Sequence, residues 1–272
     1  MNNFTIRTIT GVLFVIGIIG SVILSKWAFA ALFMIVAIGG FLEYSKIIRL
    51  SKAYPHKLAG ILLSLLLYST IVLWEFGIVG SEYLLLNLLI LPALSIVELY
   101  RKSASPFMNV AAGFLGLVWV VLPLALLSGF FNSEAEGVWL QSGALLGFFL
   151  ILWIYDSGAY IFGSLMGKHR MLERISPKKS WEGFVGGSLA GILTAYMISA
   201  SFTEFSFGKW LLVAVLIIVF GTFGDLVESM LKRSTGVKDS GSLLPGHGGI
   251  LDRFDAVLLA APPVYVLLYF LR

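Results

Sequence analysis

The sequence predicts an all-α polytopic membrane protein of about nine transmembrane helices, with the N-terminus in the cytoplasm and the C-terminus outside. Three observations carry this. Of the 272 residues, 58% are hydrophobic and 12% charged, and the mean hydropathy is +0.95. Apolar runs near or above the roughly 20 residues a helix needs to cross a bilayer recur along the chain. The runs are continuous rather than alternating with period two, which argues against a closed barrel. The bilayer core holds no water to satisfy backbone groups, so a spanning segment of this kind is a helix.

Nine spans follow in order, at about 8–25, 27–47, 58–76, 83–99, 107–127, 138–164, 183–202, 209–233 and 255–271. The first resembles a signal peptide in part: Arg7 precedes the apolar run Ile9–Leu24, and small residues recur at 28–30. Apolar character resumes at once from Trp27 to Leu42, so an uncleaved hairpin of two spans is expected. The sixth and eighth spans exceed what a bilayer requires, and each has one polar end that is expected to project into water. No internal repeat or flexible linker is visible. The chain divides by content into residues 1–137, about five spans facing lipid or a second copy, and residues 138–272, about four spans with the polar chemistry.

Loop charges set the orientation. One face receives Arg7, Lys46, Arg49, Lys52, Lys57, Arg101, Lys102, Lys168, Arg170, Arg174, Lys178, Lys179, Lys232, Arg233, Lys238 and Arg253; the other receives Lys26, Lys209 and Arg272. Positive loops stay in the cytoplasm, and sixteen against three places the N-terminus there. The net charge of +4 is thus a matter of loops and gives no reason to expect nucleic acid. With no cysteine, disulfides and thiolate metal sites are excluded.

Polar chemistry gathers in three places. In "GDLVESMLKR", 224–233, Asp225, Glu228, Ser229 and Lys232 fall at i, i+3, i+4 and i+7 and form one stripe. An acid on a membrane helix is costly unless it faces a cavity or a partner. In "KDSGSLLPGHGGILDRFD", 238–255, the glycines permit tight turns and close approach to a ligand. Asp252 and Asp255 open the last span, where acids favour a helix N-terminus; that role accounts well for Asp255. Asp225 and Asp252 are expected to meet at one depth, and a hard divalent cation such as Mg²⁺ would relieve their repulsion. In "YDSGAYIFGSLMGKHRMLERISPKKSWEG", 155–183, Asp156 ends an apolar stretch, Gly163 and Gly167 permit close helix packing, and Lys168, Lys178 and Lys179 crowd the loop. Walker spacing is absent. Carboxylates, cations and a glycine-rich loop at one membrane surface suit a nucleoside triphosphate, whose chemistry needs charge neutralisation and alignment.

The stretch "SMLKRSTGVKDSGSLLPGHGGILDRFD", 229–255, resembles the signature of the phosphatidate cytidylyltransferases, or CDP-diacylglycerol synthases. Its positions are filled by Ser229, Lys232, Arg233, Lys238, Asp239, Pro245, His247, Gly248, Gly249, Asp252, Arg253 and Asp255. The segment "DSGAY…GK…SPKKSWEG" is also similar, with Ser157 where threonine is expected. The specific likeness covers about the last 120 residues; before Asp156 it rests on hydropathy and span order. The resemblance implies that CTP and phosphatidate give CDP-diacylglycerol and pyrophosphate in phospholipid synthesis. It further implies Mg²⁺ (with a monovalent cation such as K⁺ as a second ion), a homodimer, and a site on the cytoplasmic side of the cell (inner) membrane.

On this reading Asp225, Asp252, Lys232 and Arg253 are the catalytic set. Asp225 and Asp252 are the metal ligands, with Asp156 as a third candidate. Lys168, Ser176, Lys178, Lys179, Ser229, Arg233, Lys238, His247, Gly248 and Gly249 bind substrate. Phosphatidate is already anionic, so His247 is expected to order the loop or bind phosphate rather than act as general base. Two rivals are a CTP-dependent lipid kinase, which would release CDP, and, more remotely, an ion-coupled transporter. Transport is disfavoured because the acids cluster at the cytoplasmic ends with no polar path continuing outward.

Overall fold

The computed structural model describes residues 3–131, 141–202, 204–241 and 248–271. It is built from α1 (Asn3–Leu24), α2 (Lys26–Ile48), α3 (Lys57–Glu75), α4 (Ile90–Arg101), α5 (Pro106–Gly116), α6 (Leu122–Leu126), α7 (Gly143–Met166), α8 (Trp181–Ser199), α9 (Phe207–Ser234) and α10 (Leu251–Leu271). Among the described residues, seven helical stretches are long and apolar enough to cross a membrane: Lys26–Ser51, Lys57–Glu75, Ser81–Arg101, Pro106–Phe130, Gly143–Met166, Phe207–Ser234 and Leu251–Leu271. The protein is thus an α-helical polytopic membrane protein. The apolar part of α1, Thr10–Leu24, is shorter, and α8 is rich in glycine.

Prolines explain where two expected spans are not uniform α-helix. The stretch expected at 83–99 is a 3₁₀ run over Ser81–Leu89 followed by α4. Starting the α-helix at Ile90 puts Pro92 in the first turn, where its missing N–H has no helical partner to lose. In the stretch expected at 107–127, a π turn over Leu117–Val121 separates α5 from α6, which opens next to Pro123. A widened turn accommodates a proline ring that would otherwise collide with the carbonyl four residues earlier. Beyond the all-α expectation, a short antiparallel hairpin occurs between α7 and α8: β1 (Arg170–Leu172) and β2 (Ser176–Ser180).

Two compact units are present. One comprises Met1–Gly129 with Leu231–Phe254, the other Phe130–Met230 with Asp255–Arg272. The core of the first is aromatic: Phe29, Phe33, Phe41, Tyr44 and Tyr68 are at most 1% exposed. Phe29 stacks on Phe33 at 4.1 Å, and the Tyr68 hydroxyl donates to the Ala30 carbonyl at 2.9 Å. In the second unit α7 and α8 pack backbone against backbone. A Cβ on Gly183 would lie 2.7 Å from the Ala159 carbonyl oxygen and 3.1 Å from the Gly163 Cα; one on Gly187 would lie 2.7 Å from the Tyr155 carbonyl oxygen. Small residues at four-residue spacing permit such an approach between membrane helices.

Candidate active site

In the second unit the hairpin carries a lysine to a carboxylate of α9. Ser180 ends β2 and caps α8, accepting the Gly183 N–H at 3.2 Å. Glu182, in the first turn of α8, accepts the N–H groups of Lys168 at 3.1 Å and His169 at 3.2 Å, and pairs with His169 Nδ1 at 2.6 Å. These bonds, that of the His169 ring foremost, hold the Glu182 carboxyl down to about 2. With the hairpin so anchored, strand alternation sends neighbouring side chains to opposite faces. Lys178 is exposed, whereas Lys179 turns inward and its Nζ lies 2.7 Å from Asp225 Oδ2. The same ammonium donates to the Thr222 carbonyl at 3.3 Å.

Asp225 does not stand alone. Ser229, one turn on, donates to its Oδ1 at 3.3 Å. Asp156, from α7, lies within electrostatic range of both Lys179 and Asp225. Asp255, from α10, lies within range of Asp225, Glu228 and Asp156. A glycine makes this convergence possible: a Cβ on Gly224 would collide with the Asp255 carbonyl oxygen and lie 2.9 Å from the Ala256 Cα. α9 and α10 therefore touch at the dipeptide Gly224-Asp225. Beside them the Tyr155 hydroxyl and Thr222 Oγ1 share a short hydrogen bond, tying α7 to α9.

Asp255 differs here from its expected capping role. α10 begins at Leu251, so Asp255 is in the second turn, past the N–H groups that need a cap. The capping geometry belongs to Asp252, which reaches back to accept the Gly249 N–H at 2.8 Å.

Asp252 is described within the first unit. Its Oδ1 pairs with Lys232 Nζ at 2.8 Å, with side chains 11% and 14% exposed. Its Oδ2 accepts the Ser240 N–H at 3.0 Å and the Ser240 hydroxyl at 2.8 Å. Gly248 is in the left-handed region at φ 81°, where a Cβ would also lie 2.5 Å from Asp252 Oδ2. Glu43, from α2, meets the same loop and accepts the Leu251 N–H at 3.0 Å.

The structure therefore brings Asp156, Lys179, Asp225 and Ser229 together in one unit, and Lys232, Gly248, Gly249 and Asp252 in the other. Ser176 lies on β2, and Lys168, Arg233, Lys238 and Arg253 are exposed. His247 lies outside the described residues. Sequence reasoning did not assign Asp255 to the acid cluster, or give Glu43 any role. The signal for Glu43 was present: it is an acid inside a long apolar span.

The model of the cytidylyltransferase family matches residues 5–271. The chain belongs to the cytidylyltransferase family. Among similar members of this family is the phosphatidate cytidylyltransferase of Staphylococcus epidermidis (strain ATCC 35984), 40% identical over 194 residues, 71% of this chain and 68% of that one. That of Staphylococcus saprophyticus is 43% identical over 169 residues, and that of Staphylococcus aureus (strain COL) 41% over 169; each match covers 61% of this chain and 62% of the relative's length. Family membership thus takes in the N-terminal helices, for which sequence reading had only hydropathy and span order.

Proposed function

We propose that this cytidylyltransferase converts CTP and phosphatidate to CDP-diacylglycerol and pyrophosphate, on the cytoplasmic face of the cell membrane. The observation that carries the reading is the Lys179–Asp225 ion pair beside Asp156 and Asp255. Three carboxylates on membrane helices and one inward lysine on the hairpin make a charged centre of the kind that a triphosphate requires. Relatives named phosphatidate cytidylyltransferase support the choice of substrates.

The donor set suits Mg²⁺. It consists of carboxylate oxygens, without thiolates. Among the described residues no group of three or more His, Cys, Asp or Glu side chains could hold a metal ion by itself. Mg²⁺ is usually held by one or two carboxylates together with substrate phosphates and water. Asp225 would hold it, with Asp156 and Asp255 beside it; when bound it would neutralise charge on the triphosphate and the leaving pyrophosphate. A monovalent cation such as K⁺ is part of the same proposal, for the carboxylate charge left over.

The chain's own residues do the rest. Lys179 leaves Asp225 to meet a phosphate oxygen, while Ser229 keeps the Asp225 carboxylate oriented. Lys232, aligned by Asp252 at 2.8 Å, receives phosphate charge. The phosphatidate phosphate is anionic near neutral pH, so an oxygen of that group attacks the α-phosphorus without a strong protein base. The new P–O bond forms as the bond to pyrophosphate breaks. A homodimer completes the proposal.

Labelled CTP tests it. Purified protein with phosphatidate and Mg²⁺ should release pyrophosphate and form a cytidine-bearing lipid. Release of CDP with a newly phosphorylated lipid would select a lipid kinase instead.

A further inference from the structure

We propose that Glu43, on α2, is a positioning residue for the glycine-rich loop, holding Asp252 and the start of α10 in their working arrangement. This rests on the reading of Asp252 and its loop as part of the active site.

Glu43 and Asp252 grip one short piece of backbone from two sides. Glu43 Oε2 accepts the Leu251 N–H at 3.0 Å and lies 3.4 Å from the Ser240 hydroxyl. Asp252 Oδ2 accepts the same hydroxyl at 2.8 Å, with the N–H groups of Ser240 and Gly249. Two glycines leave room for the approach: a Cβ on Gly241 would lie 2.5 Å from Glu43 Oε1, and one on Gly249 would collide with Glu43 Oε2. A carboxylate within a membrane helix is costly to retain, and this one spends its bonds on a loop about 200 residues distant in sequence. Its effect passes through Leu251 and Ser240 to Asp252.

The test compares Glu43→Leu, Glu43→Gln and Asp252→Asn in detergent, reading kcat, the KM for phosphatidate and thermal stability. Glutamine can still present an oxygen to the Leu251 N–H, whereas leucine cannot. Glu43→Leu should lower kcat by about tenfold or more with the phosphatidate KM unchanged, and Glu43→Gln should recover most of that loss. A stabilising role alone would lower the melting temperature without this split. Wild-type kcat in Glu43→Leu, or no recovery in Glu43→Gln, overturns the proposal. If Glu43→Leu does not fold, Gly241→Ala decides: it displaces the Glu43 carboxylate, and an unchanged kcat overturns the proposal equally. If Asp252→Asn is inactive while Glu43→Leu is fully active, positioning fails and the site reading stands. If Asp252→Asn keeps full activity, the site reading fails and the proposal falls with it.

Discussion

Lys179 and Asp225 form an ion pair of 2.7 Å between a two-stranded hairpin and a membrane helix. The pair joins the basic loop that precedes α8 to the acidic stripe of α9. On the proposed reading, a more highly charged ligand competes with Asp225 for this lysine.

Removal of either partner should therefore give different kinetics. Lys179→Ala should raise the CTP KM about tenfold, the scale of one charge-assisted contact of about 1.4 kcal/mol, with a smaller effect on kcat. Asp225→Asn should lower kcat about 100-fold or more and weaken the dependence on Mg²⁺. Titrations of CTP and Mg²⁺ on folded variants separate the two. Near-normal turnover and Mg²⁺ dependence in Asp225→Asn would make that acid structural.

Asp255 provides a sharper test of the same cluster. A helix-capping acid tolerates asparagine, which caps nearly as well. In the second turn of α10, within range of Asp225, Glu228 and Asp156, Asp255 has no such alternative role. Asp255→Asn should fall within about tenfold of Asp225→Asn in turnover. Wild-type turnover would remove it from the site.

Gly224→Ala should disturb the site without changing any polar group. Its Cβ would press on the backbone of Asp255 and Ala256. Overpacking of this kind costs about 1–3 kcal/mol, so both the melting temperature and kcat should fall. Unchanged values would show that α9 and α10 can part there freely.

The Glu182 anchor has a definite pH range. Its carboxyl is held down to about 2 from an ordinary 4.5, so the anchor is complete above the ordinary value and is lost as pH falls through about 2. Amide exchange at Lys168 and His169 should stay slow from neutral pH to about 4.5, after correction for intrinsic rates. Glu182→Gln should accelerate it across that whole range.

Orientation is open to labelling because the chain has no cysteine of its own. A cysteine at Ser105 should react with an impermeant thiol reagent from the cytoplasmic side, and one at Ser201 from outside. The reverse pattern would invert the topology drawn from the basic loops.

The sequence by itself determined the membrane class, the approximate position of each long helix and the segments holding the chemistry. These are properties of local pattern. A run of twenty apolar residues reads as a spanning helix whatever packs against it, and a 27-residue polar motif is a family signature before it is folded. Proline at 92 and 123 could also be seen, but the 3₁₀ and π turns they favour depend on what the neighbouring backbone can accommodate. Only the tertiary structure decided which carboxylates are neighbours. Asp252 and Asp255 are three residues apart at the head of one helix, and local pattern offered a capping place to both while leaving Asp255 no other role. Asp252 instead pairs with Lys232 and secures the loop, while Asp255 lies within range of Asp225 because Gly224 has no side chain to hold the helices apart. The same holds for Glu43, whose bonds to the loop span about 200 residues of sequence. Charge proximity across such distances is set by packing, in which one missing Cβ counts as much as a charge, and no local pattern encodes it.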